Sequence, residues 1–166
     1  MNLTSVAEMP RFANAALRAV ASSWRVSGIY RWSTGQYLTV TSGADVALTG
    51  VPEQRPNQVL GNPYGDRSSI TKYLNSAAFA QPATGTYGNA RRFNVVGPAP
   101  WQLDAALSRI FQVREKQKIE FRAEAFNVMN SLRRGNPAVN LLQGTYGQIT
   151  TSSDPRIMQF ALKYVF

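Results

Sequence analysis

With histidine and cysteine both absent, the side chains of this sequence that could do chemistry are carboxylates, amines, guanidinium groups and hydroxyls. Neither a Ser/His nor a Cys/His nucleophile can be assembled from them, and the usual zinc ligand sets are missing. The densest charged row is Lys118, Glu120, Arg122 and Glu124. Paired carboxylates can act as general acid and base, but here the charges alternate in sign at every second residue, with Ile119, Phe121, Ala123 and Ala125 between or beyond them. That spacing describes one solvated face of a strand rather than a converging site. Asp104 is expected to pair with arginines on adjacent strands and receives no catalytic role. The Gly85–Gly88 stretch lacks the strand-to-helix setting and the Lys-Ser/Thr pair of a phosphate loop. The chain is therefore expected not to be an enzyme and to need no cofactor and no metal.

Four stretches carry the period-two alternation that would position these groups: Trp24 to Ser33, Trp101 to Val113, Lys118 to Asn130 and Arg156 to Phe166. Each is close to the roughly 9–11 residues that a tilted transmembrane strand requires. In the last, Met158, Phe160, Leu162, Tyr164 and Phe166 share a wholly apolar face. In the second, Trp101, Leu103, Ala105 and Leu107 oppose Gln102, Asp104, Ala106 and Ser108, and the pattern loosens over Arg109 to Val113, as at a bulge. The first sets Trp24, Val26, Gly28, Tyr30 and Trp32 on one side, with aromatics at both ends, as in the interfacial girdles of a barrel.

The connections are unequal. Only Arg114 to Gln117 separates the second and third stretches, whereas residues 34–100 and 131–155 form long links rich in Gly, Pro, Asn, Ser and Thr. Short turns on one side and long loops on the other are the habit of outer-membrane barrels. If Phe166 ends at the periplasmic side, the short turn is periplasmic and both long loops are extracellular. Residues 1–23 alternate poorly and are placed as a periplasmic connection, with Arg11 to Val20 able to form a short Ala-rich helix. The tetrapeptides Gly85-Thr86-Tyr87-Gly88 and Gly144-Thr145-Tyr146-Gly147 echo each other ahead of two descending strands.

The formal charge is +9. It suits a second class of protein, a soluble, basic β-rich module for nucleic acid or acidic glycan. A nucleic-acid platform needs aromatic and basic groups on one face, however, and most strand charges here lie opposite the aromatics, so no nucleic-acid partner is expected. Arg91, Arg92, Arg133 and Arg134 fall in the long loops, where they are candidate contacts to lipopolysaccharide phosphates or another anionic ligand.

Specific segments carry a resemblance. Arg55-Pro56-Asn57, Tyr73-Leu74-Asn75 with Ala78-Phe79, Gly85 to Asn89, Phe121-Arg122-Ala123-Glu124-Ala125-Phe126-Asn127, and Asp154 to Tyr164, in this order, resemble large TonB-dependent receptors of the Oar-like group. The likeness runs over residues 24–166 and leaves residues 1–23 poorly matched. It implies the C-terminal portion of a barrel of about 22 strands closed by a plug domain, in the bacterial outer membrane, with uptake driven by TonB acting through the plug. Neither the plug nor a TonB box lies in this sequence, so a fragment of a longer receptor is expected. The expected partners are outer-membrane lipid, the rest of the receptor barrel and plug, and the barrel-assembly machinery. Phe160, Leu162, Tyr164 and Phe166 resemble the C-terminal signal read by that machinery; an apolar edge strand with unpaired backbone groups can dock by strand addition. The expected fold is all-β, an incomplete antiparallel transmembrane barrel of about four membrane strands with open edges and an exposed apolar face.

Overall fold

The computed structural model describes residues 1–166, the side chain of Ala19 excepted. In chain order the elements are β1 (Asn2–Glu8), α1 (Ala15–Ala21), β2 (Trp24–Trp32), β3 (Tyr37–Leu38), β4 (Asn57–Gln58), a 3-10 turn (Ser76–Ala78), β5 (Phe79–Ala80), β6 (Val95–Val96), β7 (Trp101–Arg114), β8 (Gln117–Phe126) and β9 (Ile157–Val165). They form two compact units: residues 1–33, 101–132 and 154–166 in one, and residues 34–100 and 133–153 in the other.

The first unit is an antiparallel sheet in the order β1-β2-β7-β8-β9. Directly opposed residues of an antiparallel pair share a face, so the register decides which side chains line up. Val26, Leu107, Ala123 and Phe160 fall in one cross-strand row, and Gly28, Ala105, Ala125 and Met158 in the next. The opposite face carries Arg25, Ser108, Arg122 and Ala161, then Ser27, Ala106, Glu124 and Gln159. The alternation seen strand by strand thus becomes two continuous surfaces. The sheet does not close on itself: β1 and β9 are its edges, and a closed outer-membrane barrel takes about 8 strands at least.

Residues 1–23 differ from their expected role as a connection alone. Asn2–Glu8 is a fifth long strand, paired with β2 from Asn2↔Arg31 to Glu8↔Arg25. Its apolar residues Leu3, Val6 and Ala7 divide between both faces, so periodicity gives no signal, and the neighbouring strand imposes the conformation. Residues 9–23 alone link β1 to β2, and they contain the short helix anticipated in Arg11–Val20. Asn14 caps it, its Oδ1 accepting from the Ala16 and Leu17 amides at 2.9 and 3.3 Å.

Strand limits also shift. β8 stops at Phe126 rather than Asn130 because Asn127 takes a left-handed conformation, φ 51°. Asparagine tolerates this region better than most residues. The Asn127 Oδ1 accepts from the Ser131 amide and hydroxyl, both at 3.0 Å, which fixes the turn. In β7 the loosened pattern does end in an irregularity, a register shift between Gln112 and Arg114.

The second unit is built from the long links, which read as turn formers but enclose a core of their own. Val40, Tyr73, Leu74, Ala78, Phe79, Ala90, Val95 and Ile149 are buried together. Two small antiparallel ladders, β3 with β6 and β4 with β5, tie distant parts of the chain. The Tyr73 hydroxyl donates to the Val96 carbonyl at 3.0 Å, and the Val96 amide donates to the Tyr64 hydroxyl at 2.8 Å. Gly88 sits where a Cβ would overlap the backbone of Arg55 and Pro56. Gly88→Ala is expected to cost the loop unit about 3 kcal/mol, the upper range for overpacking against atoms that cannot yield. Trypsin cleavage after the exposed Arg91 and Arg92 should then accelerate while β7–β9 stay protected; unchanged cleavage would contradict this close approach.

Candidate functional site

On the apolar face, aromatic rings gather at two levels. Tyr30, Trp32 and Trp101 lie at one end, where the Tyr30 and Trp101 centroids are 6.4 Å apart. At the other end Trp24 meets Phe111 and Phe121 edge-on at 6.5 and 6.2 Å, and Tyr164 lies 5.9 Å from Phe166. From Trp24 to Trp32 the strand rises about 26 Å at roughly 3.3 Å per residue. Between the levels the surface is apolar except for Ser5 on β1, and its outermost residues are bare: Phe160 is 67% and Leu162 74% exposed. All four residues of the candidate assembly signal, Phe160, Leu162, Tyr164 and Phe166, are exposed at this edge strand.

Arg109 breaks the apolar pattern, since its register partners are Trp24 and Phe121. It is nevertheless only 9% exposed. Its guanidinium stands 4.5 Å from the Phe111 ring centroid and 5.3 Å from that of Trp24. Nη1 donates to the Val20 carbonyl at 2.8 Å and Nη2 to the Arg18 carbonyl at 3.4 Å, while Trp24 Nε1 also donates to Val20 O at 2.8 Å. The cation therefore satisfies carbonyls in the last turn of α1, where positive charge suits the helix dipole. Sequence inspection registers Arg109 only as a lapse in alternation; the Asn14 cap before an Ala-rich run was the available sign of its partner helix.

The polar face is a row of ion pairs in cross-strand and along-strand reach. Arg31 Nη2 lies 3.1 Å from Asp104 Oδ2, Arg122 Nη2 2.9 Å from Glu120 Oε1 and Nη1 3.7 Å from Glu124 Oε1, and Arg25 Nε 3.8 Å from Glu8 Oε1. Asp104 is buried and accepts from the Asn127 amide at 3.0 Å and from Gln102 Nε2. The expected arginine partner on an adjacent strand is thus Arg31. A concavity of about 180 Å³ lies on this face between Ser27, Asp104, Ala106 and Glu124. Among the described residues no group of three acidic side chains could hold a metal ion.

The loop arginines part company. Arg91 and Arg92 are exposed and line a concavity of about 600 Å³ together with Val59, Leu60 and Phe93. Arg133 and Arg134 are half-buried. Arg134 Nη1 donates to the carbonyls of Arg67 and Ser68 at 2.9 and 3.1 Å, so this side chain already holds a turn. In the same turn the Ser68 hydroxyl and amide donate to Asp66 and keep its carboxyl below the ordinary range. The amides of Thr49 and Gly50 do the same for Asp45. Burial raises the Tyr146 phenol above its usual pKa.

Comparison with known families adds the deciding observation: the family model described as an outer membrane beta barrel domain matches residues 1–159. The chain belongs to that family. No curated protein and no solved structure matches it significantly. An outer membrane beta barrel domain resides in the bacterial outer membrane, where strands turn one face to lipid and the other to the barrel interior. The apolar face with its aromatic levels is the lipid wall, and the ion-paired face is the interior wall. The match begins at residue 1, so β1 and α1 belong to the barrel domain with the rest. Among the described residues no helix is long and apolar enough to cross a membrane, and strands do the crossing. The soluble basic module gives way to this assignment.

Proposed function

We propose that this outer-membrane barrel domain is the C-terminal part of a TonB-dependent receptor of the Oar-like group, supplying barrel wall and extracellular loops for substrate uptake. The observation that supports this most is what the resembling motifs do. Arg55 Nη1 donates to the Ala90 carbonyl at 2.9 Å, the Ala90 amide to the Pro56 carbonyl at 3.0 Å, and the Asn89 amide to Asn57 Oδ1 at 3.1 Å. Tyr73, Leu74, Ala78 and Phe79 supply half of the buried loop core, and Asn75 Oδ1 caps the 3-10 turn. The motifs are thus the framework of the loop unit, which a barrel needs if its loops hold a defined shape.

With the short Arg114–Gln117 turn in the periplasm, both long links emerge outside the cell, where Arg91 and Arg92 can meet an anionic ligand. The open edges of β1 and β9 pair with the remaining strands of the receptor. Phe160, Leu162, Tyr164 and Phe166 serve the barrel-assembly machinery, which reads β9 by strand addition. TonB engages only through the plug. The chain contributes no catalysis and binds no cofactor. Sequencing the coding DNA upstream of the Met1 codon in all frames should show a plug-domain segment, in frame or displaced by a frameshift. Upstream sequence coding only for unrelated protein would overturn the receptor proposal while leaving the barrel family intact.

A further inference from the structure

The link between β1 and β2 is chemically unlike a turn that faces water. Residues 9–23 contain no acidic side chain and no glycine, and they expose Met9, Leu17 and Val20, the last at 72%. Leu17 and Val20 lie three positions apart in α1 and share one side of it, with Arg18 turned well away from Val20 at about 100° per residue. Arg11 and Arg18 are exposed cations in the same link. The link leaves the sheet at the end that also bears the Arg114–Gln117 turn, because Glu8 pairs with Arg25 and Trp24 with Arg109.

The placement of the helix is fixed by Arg109. This residue projects from the lipid-facing side of β7, between Trp24 and Phe121, and its guanidinium holds the carbonyls of Arg18 and Val20. α1 therefore rests on the outside of the wall, at the level of the lower aromatic ring set, and not in the barrel interior. Its Leu17 and Val20 are bare, on a helix whose last carbonyls bond Arg109 and Trp24. Aromatic residues of barrels gather at the boundary between headgroups and acyl chains. A helix at that level with an apolar side and flanking cations has the makeup of one that lies in the bilayer interface, and long basic side chains there extend to the headgroups.

We propose that α1 is an interfacial helix whose partner is the phospholipid surface of the leaflet on the short-turn side. Leu17 and Val20 enter the acyl boundary, Arg18 meets headgroup phosphates, and Arg109 ties the helix to the wall without leaving a bare cation against lipid. The inference rests on the outer-membrane family and not on the receptor proposal.

The absence of cysteine permits single-site labelling of the full chain. The chain carrying Val20→Cys, or separately Leu17→Cys, is refolded into phosphatidylcholine–phosphatidylglycerol vesicles, where its open β1 and β9 edges pair between copies, and is spin-labelled. The accessibility of the label to oxygen, which concentrates in lipid, is compared with that to an aqueous nickel complex. Phe160→Cys in the apolar band and Lys116→Cys in the short turn are the references. Oxygen-to-nickel ratios at positions 17 and 20 several-fold above that at position 116, and below that at position 160, are the expected result. Ratios at both positions equal to that at 116, with 160 still in lipid, would overturn the helix placement alone. An aqueous label at 160 would overturn the lipid-wall assignment and the inference with it.

Discussion

Leu107→Arg is expected to cost about 2–4 kcal/mol of folding free energy in a bilayer, the range for arginine on the lipid face near the midplane. Ala106→Arg, one residue earlier, is expected to stay within about 0.5 kcal/mol of the parent. The two positions adjoin in sequence and lie in the same strand between the same neighbours, so propensity and strand position nearly cancel. Leu107 stands between Val26 and Ala123 in a row that runs to Phe160; nothing there can accept a hydrogen bond, and Trp24 and Trp32 place the row between the two aromatic levels. Ala106 stands between Ser27 and Glu124. It borders the interior concavity, so a guanidinium there has both room and a carboxylate. Urea unfolding from phospholipid vesicles, followed by tryptophan fluorescence, measures both. Equal costs at the two positions would contradict the division into lipid and interior faces, and a larger cost at Ala106 would reverse it.

The same division explains what the amino-acid sequence makes legible. Strands that carry one wet and one lipid face must alternate, because each lipid-facing polar group is costly. β2, β7, β8 and β9 therefore announce themselves, down to the irregularity near the end of β7. β1 does not, since Leu3, Val6 and Ala7 divide between faces, and its strand character comes from pairing with β2. The loop core is hidden for another reason. Val40, Tyr73, Val95 and Ile149 stand singly or in apolar pairs among turn formers, brought together by contacts far apart in sequence, and neither a period of 2 nor one of 3.6 connects them.

Among the candidate side chains, the pairing of Glu120, Arg122 and Glu124 and an arginine partner for Asp104 follow from spacing alone, because opposite charges on one wet face find each other; the bond from the Asn127 amide to Asp104 does not. The four loop arginines look equivalent in sequence and are not equivalent in the fold. Arg91 and Arg92 remain open to a ligand, while Arg134 is engaged by the carbonyls of Arg67 and Ser68. Arg109 was the least legible. An arginine on the lipid face contradicts the local pattern, and only the fold shows that the rings of Trp24 and Phe111 and the end of α1 enclose it. Such a departure from a clean pattern marks a place where tertiary contacts compensate for a locally unfavourable residue.

Asp104→Ala is expected to destabilise the sheet unit by about 3 kcal/mol, and the source of that loss can be assigned among its partners. The ion pair with Arg31 is the weaker part. The Arg31 side chain is 52% exposed against 8% for Asp104, so the arginine returns to water at little cost, and Arg31→Ala should lose under about 1 kcal/mol. The larger part is the Asn127 amide. It lies in a residue with 1% exposure, held at φ 51°, and it donates to the carboxylate that the substitution removes. A buried, unsatisfied donor costs about 1–3 kcal/mol. Asp104→Asn retains a side-chain oxygen for that amide and should lose only about 1 kcal/mol, the net value of a weakened charge-assisted bond. The order Asp104→Ala above Asp104→Asn, with Arg31→Ala no larger than the latter, should appear in urea midpoints from vesicles and in hydrogen exchange of the Asn127 and Ser131 amides. If Arg31→Ala instead matched Asp104→Ala, the ion pair would be the main support, and Asp104 would be a wall charge rather than the anchor of the β8 turn.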